Sequence, residues 1–252
     1  MFYGCTSLTT APRLSATTLA RYCYSDMFRE CKGITTAPAL PATALDEDCY
    51  DGMFRGCTSL TVAPALPATT LAYACYTHMF FGCSSLTTAP TLPATALTPH
   101  GYSAMFQGCT SLTTAPRLPA TALNDSCYAQ MFDGCTSLTT APSLPATTLY
   151  KHCYDRMFYE CTNLTAIPAL PATTLTDYCY DRMFKGCKSL KLNKRKIKEY
   201  TQAYRIPTTG NGTTATLSMV NMFIETGGTI LATPATPDIN TTYYLSKYNK
   251  IV

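Results

Sequence analysis

Apolar residues recur along this chain at fixed slots, and the slots return every 26 residues. Rows started at each Met-Phe pair begin at Met1, Met27, Met53, Met79, Met105, Met131, Met157 and Met183, with no insertion or deletion. From the second half of one such row onward, Leu149, Cys153, Tyr154, Met157, Phe158 and Cys161 fall at steps of four and five. That spacing predicts a short α-helix with these residues inward and Lys151, His152, Asp155, Arg156 and Tyr159 outward. The slot after the Leu holds Asp46, Thr98, Asn124 or Thr176, and Pro99 follows Thr98, both of which are helix-start signals. Gly4, Gly56, Gly82, Gly108, Gly134 and Gly186 share a slot expected to be a left-handed helix end, which Glu30 and Glu160 also occupy. The other half of the row, TSLTTAPSLPATT from Thr136, is rich in Thr and carries two Pro. Its LTTAP phrase predicts a short strand with Leu inward, and the Pro-bounded turn returns the chain to the next helix. Ile167 stands where other rows have Ala, which marks that slot as facing the core.

Each row is then one coil of strand, turn and helix. No coil can bury its apolar face alone, so the coils stack with their strands in parallel, about 4.8 Å apart. A period of 26 residues lies within the roughly 20 to 29 residue range of leucine-rich repeats. The phrases FxxCxxLT and LPATxL, with a Pro closing the strand, resemble the BspA-like leucine-rich repeats of bacterial surface proteins, particularly those of gut Bacteroidetes, over residues 1 to 190. The resemblance implies a secreted or surface-attached adhesion or binding protein, extracellular or on the bacterial cell surface. The expected fold class is α/β: a leucine-rich-repeat solenoid with a short parallel strand and a short helix per coil and a degenerate C-terminal capping region. Residues 1–190 hold seven full repeats and a partial one. Residues 191–252 form a basic connection, a degenerate coil around Met222 and Phe223, and a β-rich cap that includes NTTYYLS and KIV. The chain opens inside a coil, at Met1 and Phe2, so it is expected to be a piece of a longer array or to have its first face covered by something else.

Charge separates the two parts. Residues 1–190 hold 11 Lys or Arg against 12 Asp or Glu, and residues 191–252 hold 8 against 3, so the formal charge of +4 arises from −1 and +5. The densest basic run, KLNKRKIK from Lys191, has the charge to attract a polyanion or an anionic membrane. A solvated segment leaving the last regular coil accounts for it equally, and neither nucleic-acid binding nor membrane insertion is expected. All 14 Cys lie in the repeats, in two columns. The first runs from Cys5 to Cys187 and the second from Cys23 to Cys179. A disulfide framework is one reading, but Gly101 interrupts the second column while Cys83 and Cys109 on either side remain. Free, stacked, buried thiols fit better. No CxxC pair exists, and no metal or cofactor is expected.

For function the sequence is less direct. There are three His residues, no Gly-rich phosphate loop and no carboxylate pair standing apart from the repeat, so no enzyme is expected. Variation within the repeat concentrates in slots that face outward. The anchors expected to hold a partner are Tyr22, Tyr73, His100, Tyr150, Lys151, His152 and Tyr178 at the start of the outer segment. Phe81 and Tyr159 stand near its end, and Arg13 and Arg117 on the strand side. Aromatic and Arg residues are typical interface anchors, and the expected partner is a host or microbial surface protein or glycan. The competing reading is a structural rod, fibre or appendage subunit, a homo-oligomer assembled through the uncapped N-terminal coil.

Overall fold

The computed structural model describes residues 1–193, 195–206, 217–227 and 242–252. The repeats stack as a leucine-rich-repeat array, but the outer segment of each coil is not a helix. In the second coil, Cys49, Asp51, Met53, Arg55 and Cys57 each donate their N–H to the carbonyl three residues back, at 2.9–3.3 Å. The residues between them, Asp48, Tyr50, Gly52, Phe54 and Gly56, donate instead to the carbonyls of Tyr73, Cys75, Thr77, Met79 and Phe81 in the next coil, at 2.7–3.1 Å. The result is a ribbon of consecutive turns whose alternate N–H groups tie each coil to its successor.

The physical reason lies in the step length. Positions 149, 153, 157 and 161 repeat every four residues, whereas rows at that step drift by roughly 40° each around a 3.6-residue α-helix. The ribbon keeps them on one side by placing a residue in the left-handed region at every fourth position: His152 (φ 55°), Arg156 (51°) and Glu160 (53°) in this coil. The predicted glycine slot is left-handed, as at Gly108 (φ 73°), but as the last of three such positions and not as a helix cap. Asp46 and Asn124 likewise accept from the next residue's N–H, at 2.7 and 2.9 Å, and not from the deeper N–H groups a helix would offer.

On the opposite side the predicted strands shrink to single parallel bridges, which run Thr36, Val62, Thr88, Thr114, Thr140 and Ala166. The first two-residue strand, β1 (Ala166–Ile167), comes at the end of this ladder. Leu60, Leu86, Leu112, Leu138 and Leu164 beneath it are fully buried, and so is Ile167.

Between the two sides the core consists of columns of identical side chains. Phe rings from Phe28 to Phe184 stack nearly parallel with centroids 5.6–5.8 Å apart. Tyr24 to Tyr180 form a second file at 5.6–6.0 Å. Offset stacking at such separations is favourable. The first cysteine column completes the set. From Cys31 to Cys187 each thiol donates to the Phe carbonyl one coil back, as in Cys83 to Phe54, Cys109 to Phe80 and Cys135 to Phe106, all at 3.1 Å. All fourteen cysteines are free, and only Cys5 and Cys23 are exposed. At Gly101 a Cβ would stand 3.1 Å from Thr98 Oγ1 and 3.2 Å from a Leu71 methyl, so even the first atom of a side chain would be crowded there.

The array ends in a change of topology. Row arithmetic puts Leu192 beside Ala166, yet β5 (Lys250–Ile251) takes that place, pairing in parallel with β1. Leu192 instead begins β2 (Leu192–Asn193), which with β3 (Tyr200–Arg205) flanks the central β4 (Thr242–Ser246) in an antiparallel sheet. Residues 217–224 carry the ribbon one step further: Tyr180, Arg182, Phe184 and Gly186 donate to Ser218, Val220, Met222 and Ile224. Phe223 stacks on Phe184 at 5.7 Å, and the rings of Tyr204 and Tyr243 stand over Phe223. Asn249, almost fully buried, bolts the sheet to the last coils by donating to the carbonyls of Thr165 and Ser189 and accepting from Lys191 N–H. The PTTGNGTT loop from Pro207, the Gly228-Thr229 step and the later ATP phrase lie outside the described residues.

Candidate functional site

The ribbon turns the variable slots outward because its inward side is filled by the Phe, Tyr, Met and Cys columns. Tyr22, Tyr73, Tyr150 and Lys151 are exposed, and Phe81, His100, His152, Tyr159 and Tyr178 are half-buried. Two groups form at the start of the ribbon. Tyr73 meets the edge of His100 with ring centroids 5.7 Å apart. Three coils further on, His152 stacks on Tyr178 at 4.4 Å with planes 10° apart, beside Tyr150 and Lys151 in sequence. Polar Asn124 and Asp125 separate the two groups in that column, and an Asp125 carboxylate oxygen accepts from Lys151 N–H at 3.2 Å. Tyr22 lies in the first full coil with Arg21 over its ring, away from both groups.

At the far end of the ribbon the slots interact in pairs across neighbouring coils. Arg29 lies over Tyr3 and Arg55 over Phe81, at 5.3 and 4.5 Å from the ring centroids. Gln107 donates to Asp133 at 2.8 Å, and Lys185 lies over Tyr159 at 5.4 Å. Phe81 and Tyr159 therefore present rings whose other partner is a cation of the same chain. Burial and the nearby Glu160 raise the Asp133 carboxyl to about 6.

Beneath His152 lies a feature that sequence reasoning missed. Asp155 and Asp181 are buried carboxylates in a slot that Ser25, Asp51, Thr77, Ser103 and Ala129 hold in other rows. His152 Nδ1 stands 3.4 Å from Asp155, and the Arg182 guanidinium 2.6 Å from Asp181. Burial raises both carboxyls, and Arg156, His152 and Arg182 oppose that rise. The only signal in the sequence was the acid in a slot usually held by a small residue. Of the two, Asp155 lies directly against the His152–Tyr178 stack, and Asp181 against Arg182.

On the strand side Arg13 and Arg117 are both exposed but four coils apart. Arg117 borders an open groove of about 520 Å³ with Pro90, Leu92, Pro93, Pro116 and Pro119. Arg13 has no part in it. Among the described residues no group of three or more His, Cys, Asp or Glu is placed to hold a metal ion, and no helix is long and apolar enough to cross a membrane.

The columns of Leu, Cys and Phe on a 26-residue coil define a leucine-rich-repeat fold. Residues 80–202 match the model of the BspA type leucine rich repeat region, in six copies. Over those residues the repeats are of the BspA type. A solved structure, the leucine-rich repeat protein of T. pallidum, aligns at 20% identity with a TM-score of 0.38. It covers 62% of this chain, and this chain spans 66% of that one, just under two thirds of its length. No curated protein matches the chain.

Proposed function

We propose that this protein is a non-enzymatic binding module of a cell-surface or extracellular protein. It would hold a protein or glycan partner on the ribbon side of the array. Leucine-rich repeats of the BspA type support an interaction role and are typical of surface-associated proteins. The observation that carries the reading is the second group, Tyr150, Lys151 and the His152–Tyr178 stack, where aromatic and cationic side chains crowd a rigid surface over the buried Asp155 carboxylate. Rings held in place lose little freedom when a partner docks, which favours them as anchors. The test is replacement of Tyr73, Phe81, Tyr150 and Tyr159 together with Ser. Binding to host cells or extracellular matrix is expected to fall at least tenfold with the circular dichroism spectrum unchanged. Binding that persists moves the site to the groove beside Arg117, where Arg117→Ala is the next variant.

A further inference from the structure

The basic tail has a structure that the binding surface does not use. Two turns lie together at one end of the antiparallel sheet. The first holds Arg195, Lys196, Ile197 and Lys198, all exposed, and is clamped by reciprocal backbone bonds between Ile197 and Tyr200 at 3.1 and 2.8 Å. The second holds Lys247 and Tyr248. Lys247 N–H donates to the Glu199 carbonyl at 2.9 Å, and its ammonium pairs with the Glu199 carboxylate at 2.8 Å. Glu199 is the one acid in these two turns and is already matched, and among the described residues no carboxylate pairs with Arg195, Lys196 or Lys198.

Amid this charge stand two large exposed side chains: Ile197 is 48% exposed, and Tyr248, with the Lys247 ammonium 5.1 Å from its ring centroid, is 71% exposed. Cations alone suffice to hold a polyanion, and a polyanion has no use for an exposed isoleucine at the tip of the basic turn. An anionic bilayer matches both features. Its headgroup phosphates attract Lys and Arg, while the layer beneath takes apolar side chains and suits the amphipathic ring of Tyr. Lys stems also cover apolar surface while their ammonium groups stay at the headgroups. The clamped turn loses little freedom on docking.

We propose that these two turns form a peripheral docking site for an anionic lipid surface, with Arg195, Lys196 and Lys198 against headgroup phosphates and Ile197 and Tyr248 entering the headgroup layer. This is adsorption, not passage through the membrane. It stands independently of the ribbon-side site, from which it differs in charge and in place.

The test is co-sedimentation of the whole chain with phosphatidylcholine vesicles and with vesicles in which part of that lipid is replaced by phosphatidylglycerol. Binding is expected only with the anionic vesicles and should weaken as salt rises. Replacing Arg195, Lys196 and Lys198 with Ala should lower it about a hundredfold. The decisive variant is Ile197→Ser with Tyr248→Ser, compared on vesicles and on soluble polyphosphate. Loss of vesicle binding with polyphosphate binding unchanged supports the bilayer. Two outcomes overturn the proposal: no binding of the unaltered chain to anionic vesicles, or vesicle binding that the double variant leaves intact, which would make the patch a polyanion site.

Discussion

The two sides of each coil hold to their neighbours by different means. On the ribbon side the backbone does the joining, with five N–H groups of the second coil bonded to carbonyls of the third. On the threonine side the backbone bonds are few: Thr61 N–H reaches Thr35 O at 2.9 Å and Ala37 N–H reaches Val62 O at 3.2 Å. There a side chain adds to them, since Thr61 Oγ1 also donates to the Thr35 carbonyl at 3.1 Å, and Thr165 repeats the contact to Thr139 at 3.3 Å. The difference explains the pattern of repetition. Where backbone carries the joint, outward side chains are free to be Tyr, Arg, His or Asp. Where the side chain shares in the joint, Thr returns row after row.

The comparison can be broken most severely from the shared interior. Phe106, fully buried between Phe80 and Phe132, serves both sides at once. Phe106→Ala should cost about 3–5 kcal/mol in chemical denaturation, through lost burial and the cavity left behind. A cost below about 1 kcal/mol would mean that the columns are not the core.

The cysteine column gives the next effect. Cys109→Ala removes a buried methylene-sized volume and the donor to Phe80 O, and should cost about 1–2 kcal/mol. In the same preparations only Cys5 and Cys23 should react with an aromatic disulfide reagent in the native state. Burial pushes thiols such as Cys57 and Cys75 up to about 12, which leaves almost no thiolate near neutral pH. Rapid labelling of interior thiols would show that the coils part easily.

The smallest effects test the contrast itself. Thr61→Val keeps the shape and β preference of the side chain but deletes its hydrogen bond, and should cost about 0.5–1 kcal/mol. Tyr150→Ser on the ribbon side should change stability by less than about 0.5 kcal/mol, because the exposed ring supports no joint. Equal costs for the two would erase the distinction between the sides.

The 26-residue period, the inward Leu, Cys and Phe columns and the stacking of coils could all be read before any coordinates, because each is a pattern of apolar positions repeated many times. The likeness to BspA-type repeats could be read from the same residues. The helix could not, and the misreading has a specific source. Steps of four and five residues satisfy a helix over one turn, and the telling evidence is that positions 149, 153, 157 and 161 keep a step of four without the correction that 3.6 residues per turn requires. Glycine inside the segment, at Gly52 as well as Gly56, pointed the same way. The outward residues of the candidate site were legible as a set, but their grouping was not. His152 meets Tyr178 only because adjacent coils are in register, and nothing in one row places Asp155 beneath them.

By itself, then, the sequence determined which side chains face inward and that every coil needs a neighbour, since burial depends on composition and spacing alone. The tertiary structure decided where the backbone bonds go. An N–H at Asp48 or Tyr50 can close a helical turn or reach the next coil, and that choice rests on whether a carbonyl such as that of Tyr73 or Cys75 is there to receive it. It decided the ending too: Leu192 is spaced to continue the ladder beside Ala166, and Lys250 stands there instead, brought from the far end of the chain. Local spacing cannot foresee a competitor for the same edge that arrives 58 residues later, because which strand wins depends on what each buries elsewhere.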